Sequence, residues 1–264
     1  MRYEAADVIR LSEQLVALGV LQTSLQWAWR AANLSATPLL HERIASDGAI
    51  DPSRSRTHLR WAKRMAGSFA LVVCVVRAAL AIVVVSPVTH SVQTGALLGL
   101  VVAHVMLAWT PWTLSPDGGE GMARLVTIAL AVARLANHSA DAACLTFLAA
   151  TVALSYFVSG AHKLAAPGWR NGLTLTRIFR SALYGQPHMG RMFSARPLIA
   201  ICASRALIAW ELTFPATLLL PSPIACTALA IACAFHAWNA IVLGIDSFVF
   251  PFLATYPAVV WLTQ

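Results

Sequence analysis

Two lysines stand among nineteen basic residues, and one of them, Lys163, closes a long apolar stretch directly after a histidine. Ser155, Tyr156, Ser159, His162 and Lys163 fall at offsets of 0, 1, 4, 7 and 8, which places them on one polar stripe of a helix. Gly160 within that stripe admits a ligand or a neighbouring backbone at close range. Arginine stays protonated, whereas a desolvated lysine can release its proton, so a lysine in this setting reads as a base. The plainer alternative is a lysine whose ammonium snorkels to a membrane interface.

Glu211 lies in the middle of another apolar stretch (AWELTFP), with Pro215 four residues on. Proline cannot donate to the carbonyl at 211, so a kink is expected beside the acid. A buried acid needs a cation, and Arg205, Lys163 and His236 are the candidates. His236 and Asn239, three apart in AFHAWN, face the same way on a further helix. A structural ion pair and a satisfied core histidine account for these residues as well as a polar cavity does. His104 is isolated in its helix, and Asn137-His138-Ser139 reads equally as a helix cap. HExxH, paired carboxylates and glycine-rich phosphate loops are absent, so neither zinc hydrolysis nor nucleotide chemistry is expected, and no metal site is.

The composition says what must hold these residues. Of 264 residues 58% are hydrophobic and 11% charged, against roughly 25% charged in soluble domains. Disorder, a coiled coil and an ordinary water-soluble enzyme are excluded. The net charge of +8 comes without a nucleic-acid-binding motif, so the basic excess reads as topological, marking cytoplasmic loops. Membrane lipid, not nucleic acid, is the expected partner. The five cysteines sit in apolar stretches and read as small buried thiols. The charged N-terminus does not resemble a secretory signal.

The fold class expected is an all-α membrane bundle of six or seven spans behind an N-terminal amphipathic helix. Val8, Leu11, Leu15, Leu18 and Leu25 recur at helical spacing over 5–30, a helix suited to lying on the membrane surface. A polar loop over 33–60 completes a first unit, 1–64, ahead of a transmembrane unit, 65–264. Spans are expected at about 65–85, 92–110, 121–136, 142–162, 197–220 and 224–244, with a kinked apolar segment at 247–262. Ser115–Gly119 is a turn cluster. Residues 163–196 form a basic connection with a short helix near 171–184. The basic run from Arg54 to Arg64 and this connection fall on one side if the N-terminus is cytoplasmic.

The stretch SYFVSGAHKLAAPGWRNG resembles the HTTM (horizontally transferred transmembrane) family, whose founding member is vitamin K-dependent gamma-carboxylase. Its pattern is met by Tyr156, Phe157, Gly160, Lys163, Leu164, Trp169 and Gly172. Further matches are Glu211 with Pro215, and the FHAWNAIVLGIDSFVFPFLATYP block with Phe235, His236, Gly244 and Phe248. The resemblance covers about 65–262. It implies a membrane enzyme in which Lys163 takes a proton from a reduced, vitamin K-like quinone that then reacts with oxygen. With Lys163 as the base, the polar residues singled out above are expected to serve the same site: His162, Glu211 and His236 as catalytic partners, and Tyr156, Ser159, Gly160, Trp169 and Asn239 as cofactor contacts. His138 matches a second family histidine, at a shorter spacing from the lysine. The carboxylase also has a large luminal propeptide-binding domain, for which this chain, ending at Gln264, offers no counterpart. Small bacterial members include one needed to mature a secreted peptide toxin. The expected substrate is therefore a peptide or small molecule, and the expected location the bacterial cytoplasmic membrane. A non-catalytic factor for peptide maturation or export is the alternative; a transporter is less favoured, because no repeated halves are visible.

Overall fold

A computed structural model of the chain describes residues 3–34, 56–108, 118–137, 139–181 and 185–264; for 30–34 and 56–68 it describes the backbone alone. The loop expected over 33–60, the run Arg54–Arg64, the turn cluster 115–119 and His138 lie wholly or partly outside what is described. Every regular element among the described residues is helical. In chain order they are α1 (Ala5–Leu34), α2 (Arg56–Val85), α3 (His90–Ala108), α4 (Gly118–Leu135) and α5 (Asp141–Ala165). The basic connection follows as three short helices, α6 (Pro167–Arg170), α7 (Leu173–Arg180) and α8 (Pro187–Ala195). Then come α9 (Pro197–Thr213), a 3-10 segment (Phe214–Leu219), α10 (Ser222–Leu243), α11 (Val249–Leu253) and α12 (Tyr256–Thr263).

Among the described residues four helical stretches are long and apolar enough to cross a membrane: His90–Ala108, Asp141–Ala165, Pro197–Leu219 and Ser222–Leu243. The apolar part of α2, Phe69–Val85, and the pair α11–α12 are shorter. α5 sits centrally, packed on α9, α12, α4 and the 3-10 segment. The outer surface is greasy. On α10 the exposed Ile224, Ile231 and Trp238 form a stripe at seven-residue spacing, as hydrocarbon contact requires. Past Thr213 the α-helix gives way to the 3-10 segment, with Pro215 in its first turn, where a missing N–H costs least.

α1 departs from the surface position expected for residues 5–30. It packs lengthwise on α2 and also meets α4, α5, α11 and α12. Its amphipathicity is inverted relative to a surface helix. Between Val8 and Ala28 the exposed positions are Leu11, Leu18 and Leu25, whereas Ser12, Glu13, Thr23 and Ser24 are buried. Its core residues join the cluster that extends to Val259, and α2 runs unbroken from Arg56 through residue 64. Arg10 donates to the carbonyls of Val84, Val85 and Ser86, so α1 is antiparallel to α2 and begins at the 86–91 end of the bundle.

Glu13, fully buried, holds this arrangement by accepting from Arg134 Nε at 2.5 Å and Nη2 at 2.6 Å, across 121 residues of sequence. Removing one partner strands the other charge, at a cost of about 3–5 kcal/mol, whereas replacing both with apolar groups does not. Glu13→Leu is therefore expected to lower the thermal midpoint in detergent much more than the Glu13→Leu/Arg134→Leu double substitution does. Equal loss in the two would show that the pair does not hold α1 in place.

Candidate functional site

The polar stripe of α5 faces α9 because Gly160 lets the two helices touch. A Cβ on Gly160 would lie 2.9 Å from the Leu212 backbone nitrogen and 2.9 Å from Glu211 Cβ. Neighbouring backbone, not a ligand, occupies the space that this glycine leaves. The close approach brings Lys163 and Glu211 together. Lys163 Nζ donates to both Glu211 oxygens at 2.7 Å and to Ser159 Oγ at 2.5 Å, and Ser159 donates to Glu211 Oε1 at 3.2 Å. The Glu211 side chain is 5% exposed and that of Lys163 17%, so the cation is the member of the pair within reach of a ligand.

Trp169 completes this layer, its ring centroid 5.3 Å from Nζ. The Trp169 carbonyl accepts from Ser204 Oγ at 2.5 Å, which ties α6 to α9. Gly172, at φ 74°, takes the left-handed conformation where a Cβ would stand 2.7 Å from the backbone of Ala200 and Ile201. Both contacts press the α6–α7 turn onto α9 and fix the indole beside the amine.

A second layer lies about two turns back along α5. The Tyr156 hydroxyl is 2.7 Å from His236 Nε2 and 3.0 Å from the Tyr256 hydroxyl, a continuous chain of exchangeable protons from α5 to α10 and α12. Phe214, three residues past Glu211, stacks on Tyr156 at a centroid separation of 3.9 Å and links the two layers. Phe252 packs against both Tyr156 and His236. Trp210 Nε1, beside Phe214, is buried with no hydrogen-bond partner.

Several residues singled out in the sequence lie elsewhere. His162 is exposed on the outer side of α5 and makes no contact with the Lys163–Glu211 pair. Asn239 accepts through its backbone carbonyl at the end of α10, and its side chain does not reach the Tyr156–His236 chain. Arg205 donates to the Arg170 carbonyl instead of meeting Glu211. His236 pairs with a tyrosine, so the acid's cation is Lys163. Ser155 bonds its own helix at Thr151.

Tyr256 was not among the residues singled out, although it closes the hydroxyl chain; no local spacing marks a partner 100 residues away. Nor did His104 look connected. It lies 3.4 Å from Arg77 Nη2, which also donates to Glu120 at 2.9 and 3.1 Å; Glu120 accepts from Thr23 at 2.7 Å, and Trp27 lies over the guanidinium. Asp246 takes amide donors from Gln22, at 2.9 Å, and Gln26. Among the described residues no group of three or more His, Cys, Asp or Glu is placed to hold a metal ion.

No family model matches the chain, and no curated protein or solved structure is significantly similar to it.

If the α5–α9 contact makes the site, filling it should undo both packing and pairing. Gly160→Ala must push apart two backbones and is expected to cost about 1–3 kcal/mol. Gly95→Ala on α3, with nothing within 4 Å of the new methyl, is expected to keep or slightly raise the thermal midpoint. Equal midpoints for the two variants would show that the helices do not touch at Gly160.

Proposed function

We propose that this chain is an integral membrane enzyme in which Lys163, paired with Glu211, takes a proton from an apolar hydroxyl compound such as a reduced lipid quinone. The modified substrate is then a peptide or small molecule, as the resemblance of the Tyr156–Gly172 segment to the gamma-carboxylase family implies. The observation that carries the reading is an amine held between Ser159 and Glu211, partly exposed, with an indole beside it. Seventeen of the chain's nineteen basic residues are arginines, which cannot act this way, since arginine does not give up its proton.

The part of the site open to such a cofactor is the Lys163 amine with the Trp169 indole beside it; Tyr156 and Phe214 are buried behind it, stacked on each other, and the buried Trp210 N–H has no acceptor among the described residues. When bound, a reduced quinone would supply an acidic hydroxyl and, as the reductant in a reaction with oxygen, the source of a strong base. Glu211 shares the proton of Nζ, Ser159 keeps the amine aimed, and the Tyr156–His236–Tyr256 chain offers a path for a proton between helices. A second reading rests on the same pair: both Glu211 oxygens already meet Nζ, so the contact is complete without a ligand. The chain would then be a non-catalytic factor for maturation or export of a secreted peptide.

With the arginine-rich end, 167–205, on the cytoplasmic side of a bacterial membrane, the bond from Arg10 to the 84–86 carbonyls carries the N-terminus to the other side. This proposed placement differs from the cytoplasmic N-terminus expected from the two basic regions of the sequence.

Lys163→Arg preserves charge and membrane anchoring but not proton release. Under anaerobic conditions, addition of a short-chain reduced quinone to purified protein should produce the ultraviolet band of its anion in the wild type. Lys163→Arg and Lys163→Ala should both lack it; the arginine variant keeps a cation beside Glu211 and should retain expression and thermal midpoint, whereas the alanine variant strands the acid and should lower the midpoint. An arginine variant equal to wild type, or no band in either, overturns the enzyme reading and favours the non-catalytic one.

A further inference from the structure

The strongest feature outside this site is a cleft in the basic connection. Between Asp141 and Glu211 the chain has no acidic residue, yet it carries Lys163 and six arginines. Two of these, Arg180 at the end of α7 and Arg191 in α8, line an open cleft of about 730 Å³ together with Phe179, Pro187, Gly190 and Ser194. The cleft exists because Gly190 packs α8 directly on Phe179 and Arg180: a Cβ there would be 2.9 Å from Arg180 Cγ and 3.0 Å from the Phe179 carbonyl. Both arginines are exposed, and no salt bridge to either is found among the described residues.

What lies beside the cleft identifies its occupant. Phe179 and Phe193 pack with Val242 and Leu243 at the end of α10, and Phe179 meets Trp238 edge-on at 5.9 Å. Trp238 begins the exposed apolar stripe that continues through Ile231 to Ile224, and Ile241, next to the cleft's anchor, is 82% exposed. A pair of uncompensated guanidiniums at one end of a lipid-facing stripe matches a molecule with a phosphate at one end and hydrocarbon at the other. We propose that the α7–α8 cleft binds the phosphate headgroup of an anionic phospholipid whose acyl chains lie along the Trp238–Ile231–Ile224 stripe of α10. The lipid seats the basic connection on the membrane, and α6 of that connection carries Trp169.

The test uses the full chain in phosphatidylcholine bilayers containing a minor fraction of dibrominated phosphatidylglycerol or dibrominated phosphatidylcholine. Bromine quenches a tryptophan in contact with the acyl chain, and Trp238 is read as the difference between wild type and Trp238→Phe. Brominated phosphatidylglycerol should quench Trp238 several-fold more strongly than brominated phosphatidylcholine, and excess inorganic phosphate should not remove the preference. Arg180→Gln/Arg191→Gln should abolish it at unchanged thermal midpoint. Arg205→Gln, whose guanidinium is engaged by the Arg170 carbonyl, should leave it intact. No preference in the wild type overturns the proposal, as does equal loss in the Arg205 variant, which would mean diffuse charge attraction. Displacement by phosphate alone overturns it too, because the ligand is then a free anion.

Discussion

Charge buried among apolar helices has to find its opposite, and in this chain the search for partners ties distant segments together. Glu13 reaches Arg134, Arg77 reaches Glu120, and Lys163 reaches Glu211, each across at least 43 residues of sequence. An unpaired ion in a low-dielectric interior costs several kcal/mol even after relaxation. Helices that slide past one another by a turn would break these contacts, so the pairs set the register while apolar packing supplies most of the area. These pairs place polar contacts inside a bundle that is apolar over much of its outer surface. Lys163 differs from the other paired cations in chemistry, being the amine among them.

Much of the candidate site could be read in the sequence because its parts lie within two turns of one helix. Tyr156, Ser159, Gly160 and Lys163 share a stripe, and Trp169 follows after a proline-started turn, so periodicity alone assembles them. The acid was also visible, as a rare ionisable group inside an apolar stretch. Periodicity could not say which side of the stripe each edge residue takes: His162 and Lys163 are adjacent, and 100° of rotation leaves one outside and the other inside. Tyr256 and the Arg77–His104–Glu120 cluster were illegible because they are made by tertiary contact alone.

The misplacement of α1 has a specific cause. A helix with apolar residues on one face and polar residues on the other looks the same in sequence whether the polar face meets water or meets other polar side chains. Leu11, Leu18 and Leu25 define the greasy face in either case. What decides is whether the opposite face has partners, and Glu13's partner lies 121 residues later. Hydropathy is blind to it for the same reason, since Arg10 and Glu13 count against a span although both are engaged.

That separation sets a schedule for synthesis. At about 5–20 residues per second, Arg134 leaves the ribosome roughly 6–24 s after Glu13. Until then the only partner Glu13 has from the described ion pairs is Arg10, on its own helix, and the contact that ties α1 to α4 cannot form. The first helix made is therefore among the last to acquire its long-range polar contact, and its final register against α4 waits on the middle of the chain.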